Sequence, residues 1–86
     1  MHRTTQRFWK CLWGLPQPIH KLARKSFELL KTNPSHPSLH FKKVGGLWSV
    51  RIGLNHRALA TEDGEDFIWV WVGAHDEYER MMKNRT

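Results

Sequence analysis

The sequence predicts an α+β domain: an N-terminal helical hairpin packed on a small, mainly antiparallel four-stranded sheet, followed by a short C-terminal helix. Three observations lead there. Apolar residues recur at helical spacing as far as Leu30, and from Ser38 they alternate with a period of two. Pro and Gly stand between these segments, where the chain has to turn. The 86 residues suffice for one core and not for two, so residues 1–86 are read as a single domain.

Thr4 or Thr5 caps the first helix, whose stripe is Phe8, Leu12 and Leu15, with Trp9 and Trp13 beside it. Gly14-Leu15-Pro16-Gln17-Pro18 ends that helix, and Pro18 suits the first turn of the second. There Ile19, Leu22, Ala23, Ser26, Phe27 and Leu30 share a face, and Lys21, Arg24, Lys25 and Lys31 lie outside it. Asn33-Pro34 stops the helix. In the first strand Leu39 and Phe41 alternate with His40 and Lys42, and Gly45-Gly46 supplies a turn. The second strand sets Trp48, Val50 and Ile52 on one face and Leu47, Ser49 and Arg51 on the other. Gly53-Leu54-Asn55 turns the chain into a third strand at 56–60, and Asp63-Gly64 is a hairpin signal. The run from Phe67 to Val72 is apolar on both faces, as suits a central strand covered on two sides, so Trp69 and Trp71 are read as core. Residues 75–82 form a last helix with acids in its first turn, favourable to the helix dipole. The sheet face away from the hairpin is left open for binding.

Five Trp and four Phe suit an aromatic-rich core. A single cysteine, Cys11, excludes an internal disulfide and fits a reducing compartment. The longest apolar run, Phe67 to Ala74, is far short of the roughly 20 residues that span a bilayer. No apolar run of signal-peptide type follows Met1, and the expected location is the cytoplasm, with no membrane partner. Charge is divided unevenly. Residues 1–57 carry eleven Lys and Arg against one acid, Glu28, whereas residues 58–86 carry three against seven. A basic body of this kind suits a protein that meets a polyanion with one surface.

The residues able to carry chemistry are Arg51, Arg57 and His75, supported by Lys42, Lys43 and His40. Arg51 alternates opposite Val50 and Ile52, Arg57 follows one turn later, and His75 comes directly after the central strand. Strand pairing can therefore gather all three at one end of one sheet face. Converging arginines offer bidentate donors to phosphate oxygens, and an imidazole beside them moves protons near neutral pH. Those are the parts needed to cleave RNA through its own 2′-hydroxyl. A base removes the hydroxyl proton, cations stabilise the pentavalent phosphorane, and an acid protonates the leaving 5′-oxygen. His75 is equally a candidate for the first turn of the last helix, and Asp76, Glu77 and Glu79 read as dipole partners and solvated charge. Pro37 between His36 and His40 spoils a helical ligand pair, and no Cys or carboxylate set has ligand spacing. No metal and no small-molecule cofactor is expected.

Four segments in order carry a resemblance: Asn33 to Lys43, Trp48 to Gly53, His56 to Leu59, and Trp71 to Tyr78. Together they resemble the RelE/ParE superfamily of bacterial toxin–antitoxin toxins, over roughly residues 5–82. The resemblance implies a cognate antitoxin as partner. For the RelE-like branch it also implies ribosome-dependent cleavage of mRNA, which inhibits translation. Within the same fold the alternatives are a toxin that blocks a protein such as DNA gyrase, as the ParE branch does, and an interaction module without activity. Carried over by position, Arg57 matches the strand arginine with which members hold the scissile phosphate. His75 matches the position after the last strand where members place a catalytic Arg or His. Arg51 falls near a basic strand position and Tyr78 near an aromatic one. Two departures stand out. The family fold starts with a strand for which only Met1-His2-Arg3 is available, and its dense lysine cluster is reduced here to Lys42 and Lys43.

Overall fold

A three-residue strand precedes the first helix, too short for any periodicity to reveal. The computed structural model describes residues 1–85. Its elements are β1 (His2–Thr4), α1 (Gln6–Trp13), α2 (Gln17–Thr32), a 3-10 turn (Pro37–Leu39), β2 (Lys42–Val44), β3 (Leu47–Ile52), β4 (His56–Asp63), β5 (Asp66–Ala74) and α3 (His75–Arg85). The sheet runs β1-β5-β4-β3-β2, with β1 parallel to β5 and the other neighbours antiparallel. The α+β class holds, but the sheet has five strands and is mixed where four were expected. Side chains fasten the added strand: Arg3 lies 3.2 Å from Asp66, and the Trp69 indole N–H donates to His2 Nδ1 at 3.1 Å.

Thr5 joins this strand to the first helix. Its hydroxyl accepts the Phe8 amide at 3.1 Å as the N-cap and donates to the Trp69 carbonyl at 3.0 Å. The start of α1 is thereby tied to the middle of β5, and α1 rests on β5 more than on α2. The two helices pack on the sheet as expected, but α1 lies chiefly against β5 and meets α2 less than a hairpin would. A second difference lies at Leu39 and Phe41. Their alternation reads as a strand, yet Pro37 opens a 3-10 turn capped by His36, whose Nδ1 accepts the Ser38 amide. His40 then turns left-handed at φ 45, and pairing begins only at Lys42.

Both sheet faces are covered. On one, Phe8, Leu12, Ala23, Leu30 and Leu39 pack against Val50, Ile52, Ala58, Ala60, Trp69 and Val72. On the other, Tyr78 of α3, with Met81 and Met82, packs on Leu59 and Trp71. Trp69 and Trp71 are both core, as read from the sequence, but on opposite faces. Leu59 pairs with Trp71 and Ala60 with Trp69, so Val70 is an unpaired bulge residue that reverses the alternation. The face expected to be open is thus half closed by α3, and only its Arg51–Arg57 end remains free. No helix among the described residues is long and apolar enough to cross a membrane.

Candidate functional site

Antiparallel pairing sets Arg51 of β3 directly opposite Arg57 of β4, and Gly73 of β5 follows next across the sheet. All three occupy the face that carries α3. Like charges placed directly opposite one another are destabilising, and here neither guanidinium has an ion pair to an acid among the described residues. Arg57 is the more enclosed of the two. Its Nε and Nη1 are buried without a hydrogen-bond partner among the described residues, and its guanidinium carbon lies 5.6 Å from the centre of the Tyr78 ring. Tyr78 is itself 8% exposed, so the structure places it beneath Arg57 as a platform and not at the surface. Gly73 leaves room for the Trp71 indole beside this pair. A Cβ there would fall 2.4 Å from Trp71 Cζ2, so only hydrogen fits where the indole folds across the strand.

Arg51 is held differently. Its Nε donates to the Gly53 carbonyl at 3.1 Å, and its Nη1 lies 3.3 Å from His40 Nε2. A guanidinium only donates, so in this contact the imidazole accepts through Nε2. The left-handed turn at His40 therefore delivers a histidine to Arg51. Lys42 is opposite Ser49 in the register and so shares the face of Arg51. Lys43 does not. It is opposite Trp48, on the other face, and pairs with Glu62 at 3.8 Å.

His75 is the first residue of α3. Its amide donates to the Asn55 carbonyl at 2.7 Å, which closes the β3–β4 turn onto the end of β5. Its ring Nε2 is 3.3 Å from Glu79 Oε1, one helical turn on. His75 thus starts the helix and lines the same cavity as the two arginines. Arg51, Arg57 and His75 line one open cavity of about 370 Å³, together with Asn55, His56 and Asp76. Two of these participants escaped the sequence reading. His56 adjoins Arg57 at the strand start, and burial holds its imidazole below the usual range, which favours its neutral form. Glu79 was read as solvated charge, although its i,i+4 spacing from His75 was visible. The arrangement can hold an anionic oxygen on two fixed cations and exchange protons beside it.

The chain belongs to the ParE-like toxin domain family, whose sequence model matches residues 17–80. That bears out the RelE/ParE resemblance. In fold it is similar to a chain of the RelB–RelE antitoxin–toxin complex from Methanococcus jannaschii, with a TM-score of 0.71, 20% identity, and coverage of 92% of this chain and 96% of that one. It is also similar to a chain of the RelBE2 toxin–antitoxin complex from Mycobacterium tuberculosis, with a TM-score of 0.63, 22% identity, and coverage of 87% and 96%. YafQ from E. coli strain BL21(DE3) matches with a TM-score of 0.65, 14% identity, and coverage of 91% and 96%. At these identities the likeness is one of fold. No curated protein matches the chain in sequence.

Proposed function

We propose that this chain is the toxin of a toxin–antitoxin pair and cleaves messenger RNA on the ribosome. The observation that carries the reading is the Arg51–Arg57 pair, with buried guanidinium nitrogens of Arg57 unpartnered among the described residues, in one cavity with His75. Buried donors without acceptors are unfavourable unless a ligand completes them, and a phosphate supplies the matching oxygens and charge. Arg57 then holds the scissile phosphate from below, Arg51 from the side, and both stabilise the charge of the pentavalent state. One histidine takes the 2′-hydroxyl proton as that oxygen attacks phosphorus. A second protonates the leaving 5′-oxygen, so the products are a 2′,3′-cyclic phosphate and a 5′-hydroxyl. His75 and His56 line the cavity, and His40 stands behind Arg51.

An antitoxin partner is supported by a different surface. Trp9 and Trp13 are 41% and 63% exposed and stacked at 5.8 Å, beside a groove that also takes in His20, Phe27 and Trp69. Exposed aromatics over a groove are a common anchor for a partner's helix, and Arg24 and Lys31 outnumber the one acid, Glu28, along it, which favours an acidic one. The two folded complexes to which the chain is similar are toxins with antitoxins.

The alternative activity within the family is a block of DNA gyrase, which needs no proton-transfer group. Pulse labelling after induction in bacteria separates the two. Protein synthesis is expected to fall first; a fall in DNA synthesis ahead of it would replace the nuclease reading with gyrase inhibition.

A further inference from the structure

A second cleft adjoins the arginine cavity and shares two of its walls. It opens between α2, the 3-10 turn and the β3–β4 turn, has a volume of about 380 Å³, and is lined by Leu22, Lys25, Ser26, Leu39, Arg51 and Leu54 among others. Arg51 and Leu54 line both cavities. Leu54 is 79% exposed and Leu22 38%, so two large apolar side chains stand at this cleft with much of their surface in water. The turn between them is constrained. Gly53 has φ +63, and a Cβ there would lie 2.9 Å from Leu22 Cδ1. The backbone is thus pressed against Leu22 while the next residue, Leu54, is carried outward. The Trp9–Trp13 groove has none of these lining residues in common with the cleft.

We propose that this cleft is a nucleobase subsite: it receives the base next to the scissile phosphate, and its shape sets the sequence preference of cleavage. The proposal rests on the reading of the neighbouring cavity as an RNA phosphate site. A strand whose phosphate lies on Arg51 and Arg57 must send the adjoining base to one side. Proteins hold such splayed bases on flat or apolar surfaces and read their edges with polar groups. Leu22 and Leu54 supply apolar surface, and Ser26, with the neighbouring Ser38, supplies hydroxyls at the rim. Lys25 and Arg51 give the cleft two cations, and no acid lines it. That composition suits a ligand bearing phosphates, and the cleft is continuous with the arginine cavity through Arg51 and Leu54.

The test is the profile of cleavage sites on a message translated with purified ribosomes, read for the wild type, Leu54→Ala and Leu54→Trp. Leu54 is on an exposed turn, and melting curves check that each variant folds. The ratio of cleavage rates between different bases beside the cut is expected to change about tenfold or more. Leu54→Ala should relax the preference, and Leu54→Trp, which narrows the cleft, should shift it toward pyrimidines. Folded variants that cut with the wild-type profile would overturn the subsite and leave the nuclease reading standing. An unchanged profile with weakened antitoxin binding would assign the cleft to the protein partner instead. A wild type that cuts no message removes the phosphate-site reading, and the subsite falls with it.

Discussion

Arg57 is a half-buried cation whose Nε and Nη1 are buried without a partner among the described residues, and such a group lowers the stability of the fold that carries it. Replacing it with an apolar side chain of similar length removes that penalty. Arg57→Met is therefore expected to raise the unfolding free energy by about 1 kcal/mol or more while abolishing activity, the trade-off of a functional site against stability. Denaturant unfolding checks this, and a large loss of stability would mean that Arg57 has a structural partner in the folded protein. At this scale much of the site was legible. Arg51, Arg57 and His75 follow from alternation and from their positions at strand ends, and the structure brings them into one cavity. The misplacement of Lys43 has a physical cause: neighbouring residues of a strand point to opposite faces, so Lys42 and Lys43 could not both belong to one site. His56 and Glu79 were missed because their relevance depends on where the β3–β4 turn meets α3, which no local pattern encodes.

Two elements hang on contacts far apart in sequence, and both give predictions. Thr5 caps α1 and also bonds to the Trp69 carbonyl, so Thr5→Ala loses two hydrogen bonds and should reduce stability by about 1–2 kcal/mol. A change within error in denaturant unfolding would mean that water replaces both bonds. β1 depends on a neutral His2, whose Nδ1 accepts the Trp69 indole proton. Burial, the N-terminal ammonium and Lys31 all hold that imidazole below its usual range. The unfolded chain therefore binds a proton at His2 more readily than the folded one. Stability from this source is complete above about pH 6.5, the reference value of a free imidazole, and is lost as pH falls below it. Burial of His56 acts in the same direction. The melting temperature should fall from pH 7 to pH 5, and His2→Gln should flatten that dependence; an equal slope in both proteins would contradict the role of His2. β1 was not legible because three residues show no period and its partner lies at the other end of the chain. The strand expected at Leu39 failed because Pro37 and His36 impose a local turn that satisfies the same two apolar burials.

The whole molecule divides into a face that packs, a groove with exposed tryptophans, and an end where basic residues meet. Its positive charge is concentrated in residues 1–57, which hold eleven of the fourteen Lys and Arg. Binding to ribosomes or RNA should weaken steeply with salt, and each lysine that contacts a phosphate contributes a little under one to the logarithmic slope. Lys42→Gln is expected to reduce the slope by about that amount, while Lys43→Gln, on the opposite face and paired with Glu62, leaves it unchanged. Equal effects would mean that RNA contacts both faces of the β2 edge. Whether two arginines and a histidine form a ribonuclease site is decided by cleavage of a translated message with purified variants. Ribosome binding and thermal melting serve as controls. Arg57→Lys keeps charge without the planar fork and should retain part of the rate, and Arg57→Ala should retain little. His75→Gln should bind the ribosome and melt like the wild type, yet cleave about 10²–10⁴-fold more slowly. A folded His75→Gln protein that cleaves at the wild-type rate would contradict the account.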